Sequence, residues 1–263
     1  MTFELRIARK YLQYVWKARG RHSIHSPFVY ALVDQVLRDQ RKFDAFSAVE
    51  ARRKELLADH RMVKITDLGA GSALQKTNER RVWDLAKYAA KSPKYGRLLF
   101  RLAHYFQPET ILELGTSLGI STAYLALGRP EAQVITLEGC PEIASLARET
   151  FHKLELRHVT LTTGNFDDTL APVLMKLPKL DMAFIDGNHR REPTLRYFSQ
   201  CLTRVHDNSL LIFDDIHWTR EMEAAWEEIK AHPSATLTLD LFFMGLVFFK
   251  PEFKEKQHFT LRY

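Results

Sequence analysis

The segment TILELGTSLGIST, residues 110–122, constrains the fold more than any other part of the chain. It begins as an apolar strand that contains one acid, Glu113, and it continues through Gly115 and Gly119 to a helix start at Ser121. Glycines in such a turn let a ligand approach the backbone closely, because no Cβ is in the way. The spacing is G-x-x-x-G, which differs from the G-x-G-x-x-G of a dinucleotide-binding turn. The carboxylate favours a cationic ligand over a pyrophosphate.

Taken alone, this turn also fits an ordinary connection between a strand and a helix, so the downstream pattern decides its meaning. Four more apolar runs end in polar residues: 134–137 before Glu138, 159–162 before Gly164-Asn165-Phe166, 182–185 before Asp186, and 209–213 before Asp214-Asp215. Helices are predicted between and after them at 119–128, 141–154, 168–176, 190–204 and 219–231. This alternation predicts a parallel sheet whose polar strand ends meet at one edge and form a ligand crevice.

The chain changes character near residue 106. The earlier part has mostly helical periodicity, with one apolar face on Tyr11, Leu12, Val15 and Trp16. We therefore expect a helical N-terminal extension over residues 1–106 and an α/β domain over residues 107–263. In the tail, residues 236–241 and 246–249 predict an antiparallel pair that closes the sheet edge.

Composition narrows the class of protein. The 263 residues are 46% hydrophobic and 27% charged, as in an ordinary globular protein. No apolar run approaches the roughly 20 residues that span a bilayer, and the N-terminal segment lacks the apolar core and cleavage site of a signal peptide. Cys140 and Cys201 form neither a disulfide framework nor a metal-binding spacing, so we expect a cytoplasmic protein.

Basic residues are distributed widely along the chain. The net charge of +6 raises the hypothesis of a nucleic-acid partner, but the basic groups at 6–21, 38–42 and 52–54 do not interleave aromatics as RNA-binding surfaces do. We interpret them as solvated helix surface and expect no nucleic-acid partner. The first 22 residues alternate basic and apolar positions. This pattern predicts an amphipathic helix packed on the body, with a membrane-surface role as the alternative.

A second glycine turn occurs in ITDLGAGS, residues 65–72, with Lys76, Arg80 and Arg81 after it. No second strand with an acidic end follows it, so it lacks the context of a primary cofactor site. We interpret it as a loop before a helix and as a candidate lid over the active site.

Four motifs together suggest a family. They are ELGTSLG (113–119), LEGCPE (137–142), LDMAFIDGNH (180–189) and LLIFDD (210–215). With them, residues 108–250 resemble the class I S-adenosylmethionine-dependent methyltransferases, in particular the small-molecule branch typified by catechol O-methyltransferase. The resemblance implies a Rossmann-like doubly wound sheet of seven strands, parallel except for a C-terminal hairpin strand. It also implies S-adenosylmethionine as cofactor and a small hydroxylated acceptor.

The resemblance assigns roles to the strand ends. Glu113 and the glycine turn would form the wall around the methionine part of the cofactor, and Glu138 would accept hydrogen bonds from the ribose hydroxyls. The adenine would lie against Asn165 and Phe166. The residues assigned to the cofactor are Glu113, Gly115, Thr116, Ser117, Gly119, Ser121, Glu138, Gly139, Asn165, Phe166 and Asp186.

The resemblance also implies catalytic and metal-binding residues. Catechol-type enzymes bind a divalent ion at positions that match Asp186, Asp214 and Asp215, although the third is Asn in that family. Oxygen ligands suit Mg²⁺ or Mn²⁺ rather than zinc. Alternatively, these acids cap a loop and a helix. Asp186 and His189 are the predicted catalytic residues, because His189 stands where the family has a lysine base. Histidine titrates near neutrality, so His189 could act as a general base or as a metal ligand. A hydrogen-bonding surface histidine is the alternative.

Two other functions stay open. A methyltransferase of the same fold could act on RNA or protein through the basic N-terminal helices, although Asp-Gly-Asn-His stands where an RNA enzyme would carry an Asn-Pro-Pro-Tyr-like motif. A non-catalytic nucleoside-binding module is disfavoured by the acids at successive strand ends. The acceptor, the need for a metal and the oligomeric state, with a homodimer as one option, are also open.

Overall fold

The computed structural model describes residues 3–20, 24–65 and 79–263. The glycines of the second turn, Gly69 and Gly71, and the neighbouring Lys76 lie outside these ranges, so the predicted lid is not described. Arg80 and Arg81 belong to a short strand that pairs antiparallel with residues 62–64.

Helices and strands alternate through the second half of the described chain, as predicted. The helices are α1 (Phe3–Lys17), α2 (Pro27–Leu32), α3 (Asp44–Leu57), α4 (Val82–Tyr88), α5 (Pro93–Phe106), α6 (Ile120–Gly128), α7 (Pro141–Lys153), α8 (Phe166–Lys176), α9 (Arg191–Leu202) and α10 (Arg220–Ala231). The strands are β1 (Met62–Lys64), β2 (Glu79–Arg81), β3 (Thr110–Leu114), β4 (Gln133–Glu138), β5 (Val159–Thr163), β6 (Met182–Ile185), β7 (Leu210–Asp214), β8 (Leu237–Asp240), β9 (Met244–Phe248) and β10 (Gln257–Thr260). Val33–Leu37 continues α2 as one turn of π-helix.

The residues form two structural units. The central unit is Arg38–Lys176, and the terminal unit combines Met1–Leu37 with Leu177–Tyr263. The predicted boundary at residue 106 lies inside the central unit. It stays a prediction about which segments fold independently.

In the central unit, β3, β4 and β5 form a parallel array in that order, with Leu112 opposite Ile135 and Leu137 opposite Thr162. Every residue of β3 is buried, as its continuous apolar pattern predicts for a strand covered on both faces. Helix α6 packs closely on α5, since a Cβ added to Gly96 would lie 2.4 Å from the Tyr124 ring. The glycine motif therefore lies between a fully buried strand and a closely packed helix.

In the terminal unit, the strand order is β10-β8-β9-β7-β6. Strands β6 and β7 are parallel, and β9 runs antiparallel to both β7 and β8. The predicted antiparallel pair in the tail is thereby confirmed, with Leu239 opposite Leu246. Strand β10 pairs parallel with β8. The described residues thus hold eight strands besides the β1–β2 pair, and the predicted count of seven is wrong because β10 adds one.

Helix α1 packs on the terminal unit, as predicted for an amphipathic helix. Its buried side is centred on Tyr14, which clusters with Ala18 and Phe242, and Ile7 packs against this cluster. The Tyr14 hydroxyl donates to the carbonyl of Leu261. Leu12 and Trp16, from the apolar face predicted by periodicity, are exposed. In the described part of the chain, no helix combines the length and apolar character that a bilayer crossing requires.

Replacing Gly245 tests the packing of the terminal unit. A Cβ at this position in β9 would lie 2.6 Å from the ring of Trp226, which is 1% exposed. We expect Gly245→Ala to lower the free energy of unfolding by about 1–3 kcal/mol, because the strand and the indole must move apart. Urea denaturation measures this. The matched control is Gly20→Ala, where an added Cβ meets nothing within 4 Å. Equal stability of the two variants would contradict the prediction.

Candidate functional site

The carboxylate of Glu113 is completely buried at the end of β3. Its Oε2 accepts hydrogen bonds from the hydroxyls of Thr122 and Thr136, the latter at 2.7 Å. The Thr136 hydroxyl also lies 2.6 Å from that of Thr116. Among the described residues, Glu113 Oε1 is buried and has no hydrogen-bond partner. The glycine turn therefore adjoins an acid with one unused acceptor atom.

Burial changes the protonation of this acid. It raises the pKa of Glu113 to about 7, because the charged form loses its hydration. The hydroxyls of Thr122, Thr136 and Ser121 oppose the rise, and the charge of Glu138 adds to it. Near neutral pH, Glu113 therefore holds a proton more readily than an exposed glutamate does. A cation placed beside Oε1 would favour its ionised form.

The turn after β3 takes backbone conformations that suit glycine. Gly115 has φ 101° and Gly119 has φ 78°, both in the left-handed region, and Ser117 joins them at φ 49°. A Cβ on Gly119 would also lie 2.7 Å from the Phe151 ring. Gly119 is the N-cap of α6 and supplies no side-chain cap, so the first N–H groups of the helix are suited to an anionic ligand group.

The turn is tied to Glu138, the last residue of β4. One Glu138 carboxylate oxygen accepts from the Ser117 N–H at 2.8 Å, and the other accepts from the Cys140 N–H at 3.0 Å. Burial raises the pKa of Glu138, while the N–H groups of Cys140, Ser117 and Gly139 oppose the rise. Each carboxylate oxygen can accept a second hydrogen bond. The predicted bonds to ribose hydroxyls therefore stay a prediction.

Asn165 and Phe166 lie where β5 passes into α8, and both are half-buried. The Gly164 N–H donates to the carbonyl of Glu138, which brings this segment to the end of β4. The Asn165 side chain accepts from the Asp167 N–H at 3.1 Å, so it caps the start of α8. Their predicted contact with an adenine ring stays a prediction.

In the terminal unit, Asp186 and His189 occupy the loop after β6. His189 Nε2 lies 3.5 Å from Asp186 Oδ1, and both side chains are partly exposed. Asn188 between them has a left-handed backbone at φ 55°, and its side-chain amide lies 3.3 Å from the Tyr197 hydroxyl. The loop therefore brings the two predicted catalytic side chains together.

Asp214 is the last residue of β7, and Asp215 is the first residue after it. Asp214 is 1% exposed and pairs with Met244 across the sheet, whereas Asp215 turns away at φ 53° and donates its N–H to Phe243. In the residues that the structure describes, no three His, Cys, Asp or Glu side chains converge as metal ligands do. The metal-binding role of Asp186, Asp214 and Asp215 stays a prediction.

A histidine–carboxylate pair in the terminal unit was found only in the structure. His217 Nε2 lies 2.7 Å from Asp240 Oδ2, and Asp240 Oδ1 accepts from the Phe242 N–H at 2.8 Å. Burial alone would raise the pKa of Asp240, but the hydrogen bond and charge of His217 bring it below its usual value. Asp240 ends β8 as the other acids end their strands, so the same sequence signal could have identified it.

Part of the chain is similar to a known protein family. Residues 112–216 match a family model described as a methyltransferase domain. That stretch is therefore similar to a methyltransferase domain, and the predicted resemblance to class I methyltransferases is confirmed.

Two curated proteins and one solved structure are also similar to this chain. The chain is 33% identical over 128 residues to a catechol O-methyltransferase of Niastella koreensis and 32% identical over 129 residues to one of Mycobacterium tuberculosis. Each match covers 48% of this chain and 57% of the relative, so the chain spans little more than half the length of these proteins. A solved O-methyltransferase of Bacillus cereus in complex with SAH has a similar fold, with a TM-score of 0.57 and 20% identity over 82% of this chain and 94% of that one.

The raised pKa of Glu113 predicts a pH-dependent stability. The folded-state pKa of about 7 exceeds the ordinary value of 4.5, so its contribution is fully present below about pH 4.5 and is lost as pH rises through 7. We expect the wild type to lose on the order of 3 kcal/mol of unfolding free energy over this range relative to Glu113→Gln. Chemical denaturation across pH measures the difference. The exposed Glu131→Gln is the control, and a parallel pH profile for wild type and Glu113→Gln would refute the prediction.

Proposed function

We propose that this chain is an S-adenosylmethionine-dependent O-methyltransferase that acts on a small hydroxylated molecule. The observation that carries the proposal is the buried Glu113 with its unused Oε1 beside a glycine turn. The methyltransferase match over residues 112–216 and the catechol O-methyltransferase relatives support it. The cofactor supplies a methyl group on a positively charged sulfur.

The residues of the central unit fit the methionine part of this cofactor. Oε1 of Glu113 is an acceptor for an ammonium group, which would relieve an unpaired buried atom. The uncapped N-terminus of α6 suits a carboxylate, with the buried Ser121 in its first turn. Gly115 and Gly119 leave the backbone accessible. An amino acid with both charges is therefore a suitable ligand.

The adenosine part is assigned to the ends of β4 and β5. Glu138 is held by backbone N–H groups, so its remaining acceptor sites are fixed in direction. Two such sites suit the two hydroxyls of a ribose. Gly139 keeps this edge free of a side chain. Phe166 offers a half-buried aromatic ring for an adenine, and Asn165 lies beside it.

We assign proton transfer to His189. Methyl transfer joins the acceptor oxygen to the methyl carbon while the carbon–sulfur bond breaks, and the hydroxyl proton must leave the oxygen. His189 Nδ1 can accept this proton, because Asp186 near Nε2 stabilises the charged ring. Holding the reactants in line contributes on the order of 7–11 kcal/mol to catalysis.

The role of a metal follows from its possible ligands. The oxygen donors of Asp186, Asp214 and Asp215 suit Mg²⁺ or Mn²⁺, which would lower the pKa of an acceptor hydroxyl. The described side chains do not converge as a metal site does, so no step is assigned to a metal here. Cys140 and Cys201 are buried thiols that are not joined in a disulfide bond, which supports a proposed cytoplasmic location.

Glu138 provides a test of cofactor binding. We expect Glu138→Gln to weaken S-adenosylmethionine binding by about 10- to 100-fold, because hydrogen bonds to a charged acceptor are lost. Isothermal titration calorimetry measures the affinity, and circular dichroism checks the fold. Glu142→Gln, which changes a partly exposed acid in the same motif, should bind like the wild type. An unchanged affinity of Glu138→Gln would show that the ribose is bound elsewhere.

A second experiment distinguishes proton transfer by His189 from activation of the acceptor by a metal ion. With catechol as the probe acceptor, we expect His189→Gln to lower kcat by about 10²–10⁴-fold and to leave cofactor affinity intact, because only proton transfer is lost. Asp214→Asn and EDTA should leave activity unchanged if no metal takes part. Loss of activity in EDTA, restored by Mg²⁺, would establish the metal. Full activity of His189→Gln would exclude it as the base.

A further inference from the structure

Helix α1 has a second apolar side, opposite the one that packs on the terminal unit. Leu5, Leu12 and Trp16 are 60%, 69% and 87% exposed. At 100° per residue they fall within about 40° of one another, whereas Tyr14 lies on the opposite side of the helix. Large apolar side chains this exposed rarely line up on a surface that faces only water.

Basic residues accompany this apolar line. Arg9 projects beside Trp16, whereas Lys17 lies about 100° from Trp16 around the helix and so flanks the apolar line. Arg19 follows the last turn, and its guanidinium lies over the Phe259 ring. All three residues are exposed. Two other cations hold the helix in place, since Arg6 and Lys10 contact the carboxylate of Glu223 at 3.1 and 3.2 Å. The helix is therefore anchored through one side while the other presents apolar and cationic groups outward. We call the line of Leu5, Arg9, Leu12 and Trp16, together with the flanking Lys17 and with Arg19 just after the helix, the outer face of α1.

Size and charge decide which partner fits this face. A stable protein–protein interface takes about 20–30 residues a side, and the outer face is one line along a helix about 22 Å long. A second copy would bring another set of these cations into the same interface, and the outer face holds no acid to balance them. A negatively charged, deformable surface does not need a large rigid interface, and it attracts the cations. An interfacial helix combines Leu and Trp with flanking Lys and Arg in this way.

We propose that the outer face of α1 binds the surface of an anionic lipid bilayer, with the helix parallel to the membrane plane. Leu5, Leu12 and Trp16 enter the headgroup boundary, and Trp16 suits this depth because its ring is apolar and its N–H is polar. Arg9, Lys17 and Arg19 lie at the level of the anionic headgroups, where each cation strengthens binding about fivefold. The attachment is peripheral.

Sedimentation of the full chain with lipid vesicles tests the proposal. We expect binding to phosphatidylglycerol-rich vesicles and little binding to pure phosphatidylcholine. Leu12→Ser with Trp16→Ser should weaken binding at least about tenfold, since two apolar side chains leave the interface. Arg9→Gln with Lys17→Gln should weaken it about 25-fold at low salt and less at high salt.

Met175→Ser is the matched control, because Met175 is equally exposed, at 69%, on another helix. It should bind vesicles like the wild type, and thermal melts confirm that all variants fold. Equal binding to neutral and anionic vesicles, or no effect of the Leu12 and Trp16 changes, would overturn the proposal. So would a concentration-dependent dimer in analytical ultracentrifugation that these changes abolish without any vesicle binding, since the partner would then be a second copy. Equal retention of wild type and the apolar variant on polyglutamate, without vesicle binding, would assign the face to an acidic protein.

Discussion

The buried carboxylate of Glu113 is the constraint on which the central unit depends. Removing a carboxylate from water is costly unless it is protonated or hydrogen-bonded, and the hydroxyls of Thr122 and Thr136 provide part of the compensation. These hydroxyls belong to α6 and β4, so one acid ties together β3, the glycine turn and two further elements. The remaining unsatisfied Oε1 lowers stability in the absence of a ligand. Such a cost is typical of a binding site.

Strained backbone conformations are likewise offset by neighbouring hydrogen bonds. Left-handed conformations at residues other than glycine occur just after four strands, at Ser117, Asn188, Asp215 and Phe242, with φ between 49° and 70°. Each costs on the order of 1 kcal/mol and persists only where its surroundings hold it. The neighbouring hydrogen bonds do so: Ser117 donates to Glu138, Asp215 donates to Phe243, and Phe242 donates to Asp240. At Ser117, Asn188 and Asp215 these left-handed positions keep a polar side chain close to a strand end.

Local sequence patterns were sufficient to predict most helices and strands, but not the contacts that depend on the tertiary structure. The apolar runs and capping signals placed β3 to β9 and α6 to α10 within a few residues. Strand β10 was missed because it is short and Phe259 is its one buried residue, so it forms no apolar run. The buried side of α1 was not predictable, since apolar residues occur around the helix and the bond from Tyr14 to Leu261 decides its orientation. The shifted pKa of Glu113 likewise depends on burial that only the fold creates.

Three histidine–carboxylate pairs are described in the terminal unit, and two of them, His217–Asp240 and His189–Asp186, follow strand ends and differ in how far they suit proton transfer. His217 and Asp240 are 2.7 Å apart, and a backbone N–H also binds the Asp240 carboxylate, so this pair is already stabilised in the resting protein. His189 and Asp186 are 3.5 Å apart and more exposed, in a loop shaped by Asn188. A tight pair holds structure, whereas a looser one can strengthen when a proton arrives. This difference, rather than the presence of a histidine near a strand end, favours His189 over His217 as the base.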